Sequence, residues 1–119
     1  MPVQRGDIVI AELSPTKGSE QAGTRPCVVV QNDIGNKYAP TTIIAPCTTK
    51  YDPDDLYPVE VELRASRCDL KDDSVVNCSQ LRTVDIDARI TGRVGTVPPD
   101  RMEDIDEALH ISLSLSMPE

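Results

Sequence analysis

The sequence predicts a mainly β protein: an all-β barrel that carries one helix at its C-terminal end. Six short runs rich in Val, Ile and Thr are separated by Gly, Pro and Asn, as expected of strands joined by turns. One stretch after Pro98 and Pro99 instead repeats its apolar residues at helical spacing. The 119 residues suffice for one domain, 1–119, whose core must be aliphatic because the only aromatic residues are three tyrosines.

The first two predicted strands flank a long polar loop. Ile8–Leu13 is almost continuously apolar, and residues 17–23 lead from it to the second strand, Pro26–Gln31. The connection is too long for a tight turn, and loops of this length in small domains often bind a ligand. Arg25 stands at the mouth of the second strand, where Pro26 biases its backbone toward extended geometry. We therefore expect a well-aimed guanidinium beside a functional loop.

Two more strands are predicted in the middle of the chain. Residues 32–40 form a connection rich in turn residues, and the β-branched run Thr41–Ala45 follows it until Pro46 stops the strand. Residues 49–58, which hold three Asp and two Pro, predict an irregular surface loop. Val59–Leu63 alternates strictly, so its apolar residues should face the core and its two glutamates should face water.

The last strands precede the helix. Ser74–Cys78 and Thr91–Val97 are short and β-branched. Asp100 is the expected N-cap, with Glu103 at the capping-box position, and Pro118 should end the segment. The spacing of the apolar residues predicts two adjacent stripes on this helix. One stripe consists of Met102, Ile105, Leu109 and Leu113, and the other consists of Ala108, Ile111 and Leu115.

Composition narrows the classes of function. The chain has neither an apolar run long enough to span a membrane nor the apolar core of a signal peptide, so we expect a cytoplasmic protein without a membrane partner. The four cysteines contain no CxxC pair and there is one histidine, so we expect no metal and no cofactor. Cys27 and Cys47 lie in apolar strands and are expected to be small buried hydrophobic residues.

The net charge is −8, with 13 Asp and only 4 Lys. Binding to a polyanion such as RNA depends on local cations, so an RNA-binding role would need a small cationic site on an acidic protein. Solubility at high salt is an alternative reason for an Asp-rich, Lys-poor composition.

Four segments in this order resemble the MazF/PemK family of toxin endoribonucleases. They are QRGDIVIAELSPT (4–16), GSEQAGTRPCVVVQND (18–33), IIAPCTT (43–49) and SQLRTVD (79–85). The resemblance implies a small SH3-like β-barrel of the CcdB/MazF type, a homodimer, an antitoxin partner, and metal-independent, sequence-specific cleavage of single-stranded RNA. The implied products carry a 2′,3′-cyclic phosphate and a 5′-hydroxyl. A gyrase-poison-like toxin of the same fold, which binds a protein and cleaves nothing, is the alternative.

The resemblance also assigns candidate site residues. The catalytic arginine and threonine of the family fall on Arg25 and Thr48. A guanidinium suits the phosphorane, because its planar, permanently charged fork matches phosphate oxygens. Arginine is a poor proton acceptor, so Glu20 in the preceding loop is a weak candidate for the general base. The candidate RNA contacts are Ser19, Gln21, Asn32, Thr49, Gln80 and Arg82.

Overall fold

Seven strands form one antiparallel sheet in this computed structural model, which describes residues 2–115. The strands are β1 Asp7–Glu12, β2 Thr24–Val29, β3 Thr41–Thr48, β4 Glu60–Leu63, β5 Ser74–Asn77, β6 Arg82–Asp85 and β7 Ile90–Thr96. The helices are α1 Asp33–Tyr38, α2 Ala65–Cys68, α3 Ile86–Arg89 and α4 Pro99–Leu113. The mainly β class with a helix near the C-terminus is therefore confirmed.

The strand order is β4-β5-β3-β2-β1-β7, and β6 also pairs with β3. β3 is the central strand: its first half pairs with β6, its middle with β2, and its last two residues with β5. The paired path ends at β4 and β7, so within residues 2–115 the sheet curls without closing through hydrogen bonds. The first two predicted strands are present as β1 and β2, and they pair antiparallel with Ala11 opposite Arg25.

The central strands are buried on both faces, which explains their nearly continuous apolar sequences. Along β2, Val28 belongs to a core that includes Ile105 of α4, whereas Cys27 and Val29 belong to a second core on the other face. All four cysteines are buried and unbridged, so the prediction for Cys27 and Cys47 is confirmed. Among residues 2–115, no helix has the length and apolar character needed to cross a membrane.

Helix α4 packs on the first core through its N-terminal two thirds. Ile105 and Ala108 are fully buried, whereas Ile111, Leu113 and Leu115 near its end are exposed. The predicted N-cap is wrong: Pro98 occupies that position without a side-chain cap, and Asp100 instead accepts two hydrogen bonds from Arg67 (3.0 and 2.7 Å). The expected end at Pro118 lies outside the described residues.

Three further elements differ from the prediction. Residues 33–38, expected to be a loop, form α1, which Asn32 caps by accepting the N–H of Gly35 at 2.8 Å. β3 continues through Pro46 to Thr48. Residues 82–85 form a strand, β6, that the sequence pattern did not indicate because only Val84 in it is buried.

Candidate active site

Arg25 is the second residue of β2, and backbone carbonyls hold its half-buried side chain at the strand mouth. Its Nε donates to the carbonyl of Ala22 (2.8 Å), and its Nη1 donates to the carbonyl of Cys47 (3.1 Å). The strand register explains this reach, because Cys27 pairs with Pro46 and Arg25 therefore lies beside the end of β3. The guanidinium thus bridges the start of β2 and the end of β3, and no carboxylate within residues 2–115 pairs with it.

Thr48 is the last residue of β3 and follows directly the carbonyl that Arg25 binds. Its Oγ1 accepts the backbone N–H of Lys50 at 3.2 Å. A hydroxyl that accepts at its oxygen still has its own proton to donate. The Thr48 hydroxyl can therefore donate a hydrogen bond to a ligand bound in the space that it shares with Arg25.

These two side chains line one open groove of about 590 Å³, which we name the Arg25 groove. Its lining residues are Gln21, Arg25, Cys47, Thr48, Thr49, Lys50, Glu60 and Asn77. Arg25 and Lys50 give it two cations against the single carboxylate of Glu60. The groove is therefore locally cationic on a protein whose net charge is −8.

A second, smaller cavity of about 270 Å³ adjoins the groove and shares Gln21 with it. This Arg82 cavity has an apolar wall and a polar rim, and its lining residues are Leu13, Glu20, Gln21, Ile44, Pro46, Gln80, Leu81 and Arg82. The Oε1 atom of Gln80 accepts the N–H of Gln21, and its Nε2 donates to the carbonyl of Ser19, both at 3.3 Å. Arg82 donates to the carbonyl of Leu13. The SQLRTVD segment is thereby tied to the polar loop.

The structure separates Glu20 from the Arg25 groove. Glu20 is exposed and lines the Arg82 cavity, and its Oε1 accepts the N–H of Lys17 at 2.7 Å. Asn32 lines neither cavity, because its side chain caps α1. Of the predicted site residues, the Arg25 groove gathers Arg25, Thr48, Thr49 and Gln21, and the Arg82 cavity gathers Glu20, Gln21, Gln80 and Arg82.

Burial shapes the thiols next to the site. It raises the pKa of Cys27 to about 12, although the nearby Arg25 and Arg82 act in the opposite direction. Burial likewise raises the pKa of Cys47, whose carbonyl holds Arg25. Both thiols are therefore neutral at physiological pH and are unsuited to nucleophilic attack.

Besides Cys47, which was expected only as a buried residue, three residues that line the Arg25 groove were not predicted from the sequence: Lys50, Glu60 and Asn77. Lys50 immediately follows the predicted threonine pair, so its proximity was readable from the sequence. The pairing of β4 with β5, in which Glu60 and Asn77 are register partners, brings these two residues to the groove. The alternation of β4 indicated only that Glu60 lies on its polar face. Among residues 2–115, no cluster of three or more His, Cys, Asp or Glu is arranged to hold a metal ion.

The fold and the groove define the class to which this protein belongs. It is a small, mainly β protein with a cluster of cationic and polar side chains at the ends of its central strands. The family described as "PemK-like, MazF-like toxin of type II toxin-antitoxin system" matches residues 4–113. Endoribonuclease EndoA of Bacillus subtilis (strain 168) is 45% identical over 115 residues, which are 97% of each chain. The chain belongs to this PemK/MazF toxin family.

Solved structures agree with this fold. MazF from Deinococcus radiodurans superposes with a TM-score of 0.82 at 24% identity, covering 96% of this chain and 98% of that one. An endoribonuclease from a Mycobacterial species, solved in complex with its cognate antitoxin, gives a TM-score of 0.80 at 23% identity over 98% and 99% of the two chains.

Proposed function

We propose that the protein is an endoribonuclease toxin that cleaves single-stranded RNA at specific sequences without a metal, leaving a 2′,3′-cyclic phosphate and a 5′-hydroxyl. The observation that carries the proposal is the fixed guanidinium of Arg25 next to the hydroxyl of Thr48 in one cationic groove. The 45% identity to an endoribonuclease over nearly the whole chain supports the same reaction.

Arg25 stabilises the charge that develops on the phosphorane. Its side chain is anchored through Nε and Nη1, and its Nη2 makes no hydrogen bond within residues 2–115. A donor that is oriented before the substrate arrives loses little free energy to reorganisation during the reaction. Thr48 adds a second hydrogen-bond donor to the phosphate. Its hydroxyl oxygen already accepts the backbone N–H of Lys50, and its hydroxyl proton is left for the substrate.

The adjoining Arg82 cavity suits a nucleobase next to the scissile phosphate. Its apolar wall can pack against a base, and the amides of Gln21 and Gln80 can meet polar groups on the base edge. Arg82 supplies charge near the backbone of the RNA. Ser19 and Thr49 extend the contact surface at the two ends, and Asn32 is the weakest candidate because it already caps α1.

The toxin acts in the cytoplasm as a homodimer and is neutralised by a cognate antitoxin. Membership of a type II toxin-antitoxin family supports the antitoxin. Ile111, Leu113 and Leu115 are all exposed near the end of α4, and a protein of 13.0 kDa seldom leaves several large apolar side chains uncovered. Sedimentation should therefore show a dimer at micromolar concentration, and a monomer would contradict this part of the proposal.

Removal of the guanidinium tests the proposed reaction. The rate constant for single-turnover cleavage of a labelled mixed-sequence RNA, with EDTA present, should fall on the order of 10²- to 10³-fold in Arg25→Ala, while RNA affinity changes far less. Arg67→Ala is the matched control, since Arg67 is an exposed arginine that pairs with Asp100 and lines neither site cavity.

Circular dichroism must show that both variants fold. Near-wild-type cleavage by folded Arg25→Ala, or loss of wild-type activity in EDTA, would contradict the mechanism. A wild-type protein that cleaves no RNA in this assay would favour a toxin that poisons a protein target.

A further inference from the structure

The proposed cleavage needs a group that accepts the proton of the 2′-hydroxyl. A guanidinium such as that of Arg25 is a poor proton acceptor, and a hydroxyl such as that of Thr48 is no better, so neither suits this task. Among the residues that line the Arg25 groove, Glu60 is the one carboxylate. We propose that Glu60 is the general base for the 2′-hydroxyl, an inference that rests on the proposed ribonuclease function.

Glu60 is held on the sheet rather than on a loop. It is the first residue of β4, pairs in register with Asn77 of β5, and is half-buried. Its backbone N–H donates to the carbonyl of Tyr57, and its Oε1 accepts the N–H of Tyr57, both at 2.9 Å. Its Oε2 makes no hydrogen bond within residues 2–115 and is available to a substrate. One oxygen therefore positions the carboxylate while the other can take a proton.

Glu20, the alternative candidate for the base, makes the same local pair of hydrogen bonds as Glu60 but lies elsewhere in the structure. Its backbone N–H donates to the carbonyl of Lys17 at 3.2 Å, and its Oε1 accepts the N–H of Lys17 at 2.7 Å. It is, however, exposed on a loop and lines the Arg82 cavity instead of the groove of Arg25. Because a general base must come within hydrogen-bond reach of the proton it removes, the shared groove favours Glu60.

The proton and bond changes balance with water as the only added reactant. The 2′-hydroxyl gives its proton to the Glu60 carboxylate, and the 2′-oxygen forms a bond to phosphorus. The bond between phosphorus and the 5′-oxygen breaks, and that oxygen takes a proton from water in the open groove. Glu60 then gives its proton to the hydroxide that this step leaves, so that water is regenerated.

The charged groups that line the groove with Glu60 are Arg25 from β2 and Lys50 from the segment after β3. The thiol of Cys47, from β3, is neutral because burial raises its pKa. A carboxylate accepts a proton only in its ionised form. A reaction that depends on a carboxylate base should therefore decline at acidic pH.

The experiment measures single-turnover cleavage of a labelled mixed-sequence RNA across a pH series by wild type, Glu60→Gln and Glu20→Gln. Glutamine keeps an oxygen that can accept the N–H of Tyr57, so the local structure should persist. We expect Glu60→Gln to slow cleavage by about 10²- to 10⁴-fold and to abolish the decline at acidic pH. Glu20→Gln, which changes the other candidate base, should retain that decline.

Binding separates chemistry from a structural defect. Affinity for a 2′-deoxy version of the RNA, which cannot be cleaved, should stay within about fivefold of wild type in Glu60→Gln. An unchanged acidic decline in folded Glu60→Gln, its loss in Glu20→Gln instead, or a wild-type profile with no acidic decline would each overturn the assignment. If Glu60→Gln fails to fold, the wild-type and Glu20→Gln profiles still test it. A wild type that cleaves no RNA refutes the proposed function itself.

Discussion

At the scale of single residues, the candidate site depends on hydrogen bonds that the backbone makes to side chains. Arg25 is anchored by two carbonyls, and Thr48 receives one backbone N–H. Such anchors fix a side chain without neutralising it, so the guanidinium keeps its full charge for a ligand. An ion pair in the same place would have competed with phosphate for that charge.

The hydroxyl of Thr48 can be tested without changing the shape of its side chain. Thr48→Val keeps the β-branched form that suits the end of a strand but removes the donor. We expect single-turnover cleavage to fall about 10- to 100-fold, the effect of one hydrogen bond to a charged group. Thr48→Ser, which retains the hydroxyl, should stay closer to wild type. Equal rates in Val and Ser variants would show that the hydroxyl is not used.

The sequence drew attention to Arg25 because Pro26 and a β-branched run follow it. Thr48, the last residue of β3, was a candidate only through the family resemblance. Glu60 was not readable, since its place in the groove depends on pairing with Asn77 across two strands. The alternation of apolar and polar residues indicates the face of a strand on which a residue lies. It does not indicate which loop packs against that face.

At the scale of elements, β3 shows why a rule based on a single residue failed to predict where a strand ends. Pro46 was expected to end the strand because it lacks an N–H. The ladder with β6 ends at Ile44, the ladder with β5 begins at Cys47, and the ladder with β2 ends at Pro46 itself. On the side of β3 that pairs first with β6 and then with β5, Pro46 falls between the two ladders, so its missing donor interrupts neither of them. Helix α1 was missed for a different reason: it has six residues, and its two large apolar side chains, Ile34 and Tyr38, are exposed and so form no core-facing stripe.

Two glycines of β7 provide a matched test of packing between elements. A Cβ added at Gly95 would lie 1.9 Å from the carbonyl oxygen of Cys68 in α2, whereas one added at Gly92 would meet no atom within 4 Å. Gly95→Ala should therefore lower the free energy of unfolding by about 1–3 kcal/mol, because backbone atoms must move. Gly92→Ala should change it by less than about 1 kcal/mol. Urea denaturation of both variants measures the difference, and equal stabilities would contradict the close approach of β7 to α2.

At the scale of the whole molecule, the distribution of charge matters more than its sum. The net charge of −8 opposes a polyanion at long range, but salt screens that repulsion beyond about 8–10 Å. Arg25 and Lys50 lie within the groove itself, where contact occurs. RNA binding should therefore depend on this local excess of cations. An acidic segment of an antitoxin would gain charge complementarity at the same place and would compete with RNA.

Charge reversal of one groove lysine tests that competition. Lys50→Glu removes an exposed cation of the groove, so affinity for RNA and for the cognate antitoxin should fall together by about five- to tenfold at low salt. Both losses should shrink as ionic strength rises, because the charge is exposed. Lys71→Glu is the matched control. Lys71 is an exposed lysine that lines neither site cavity, and its substitution changes the net charge by the same amount. Fluorescence anisotropy with labelled RNA and labelled antitoxin measures both affinities. An antitoxin affinity that stays at the wild-type value while RNA affinity falls would show that the two ligands use different surfaces.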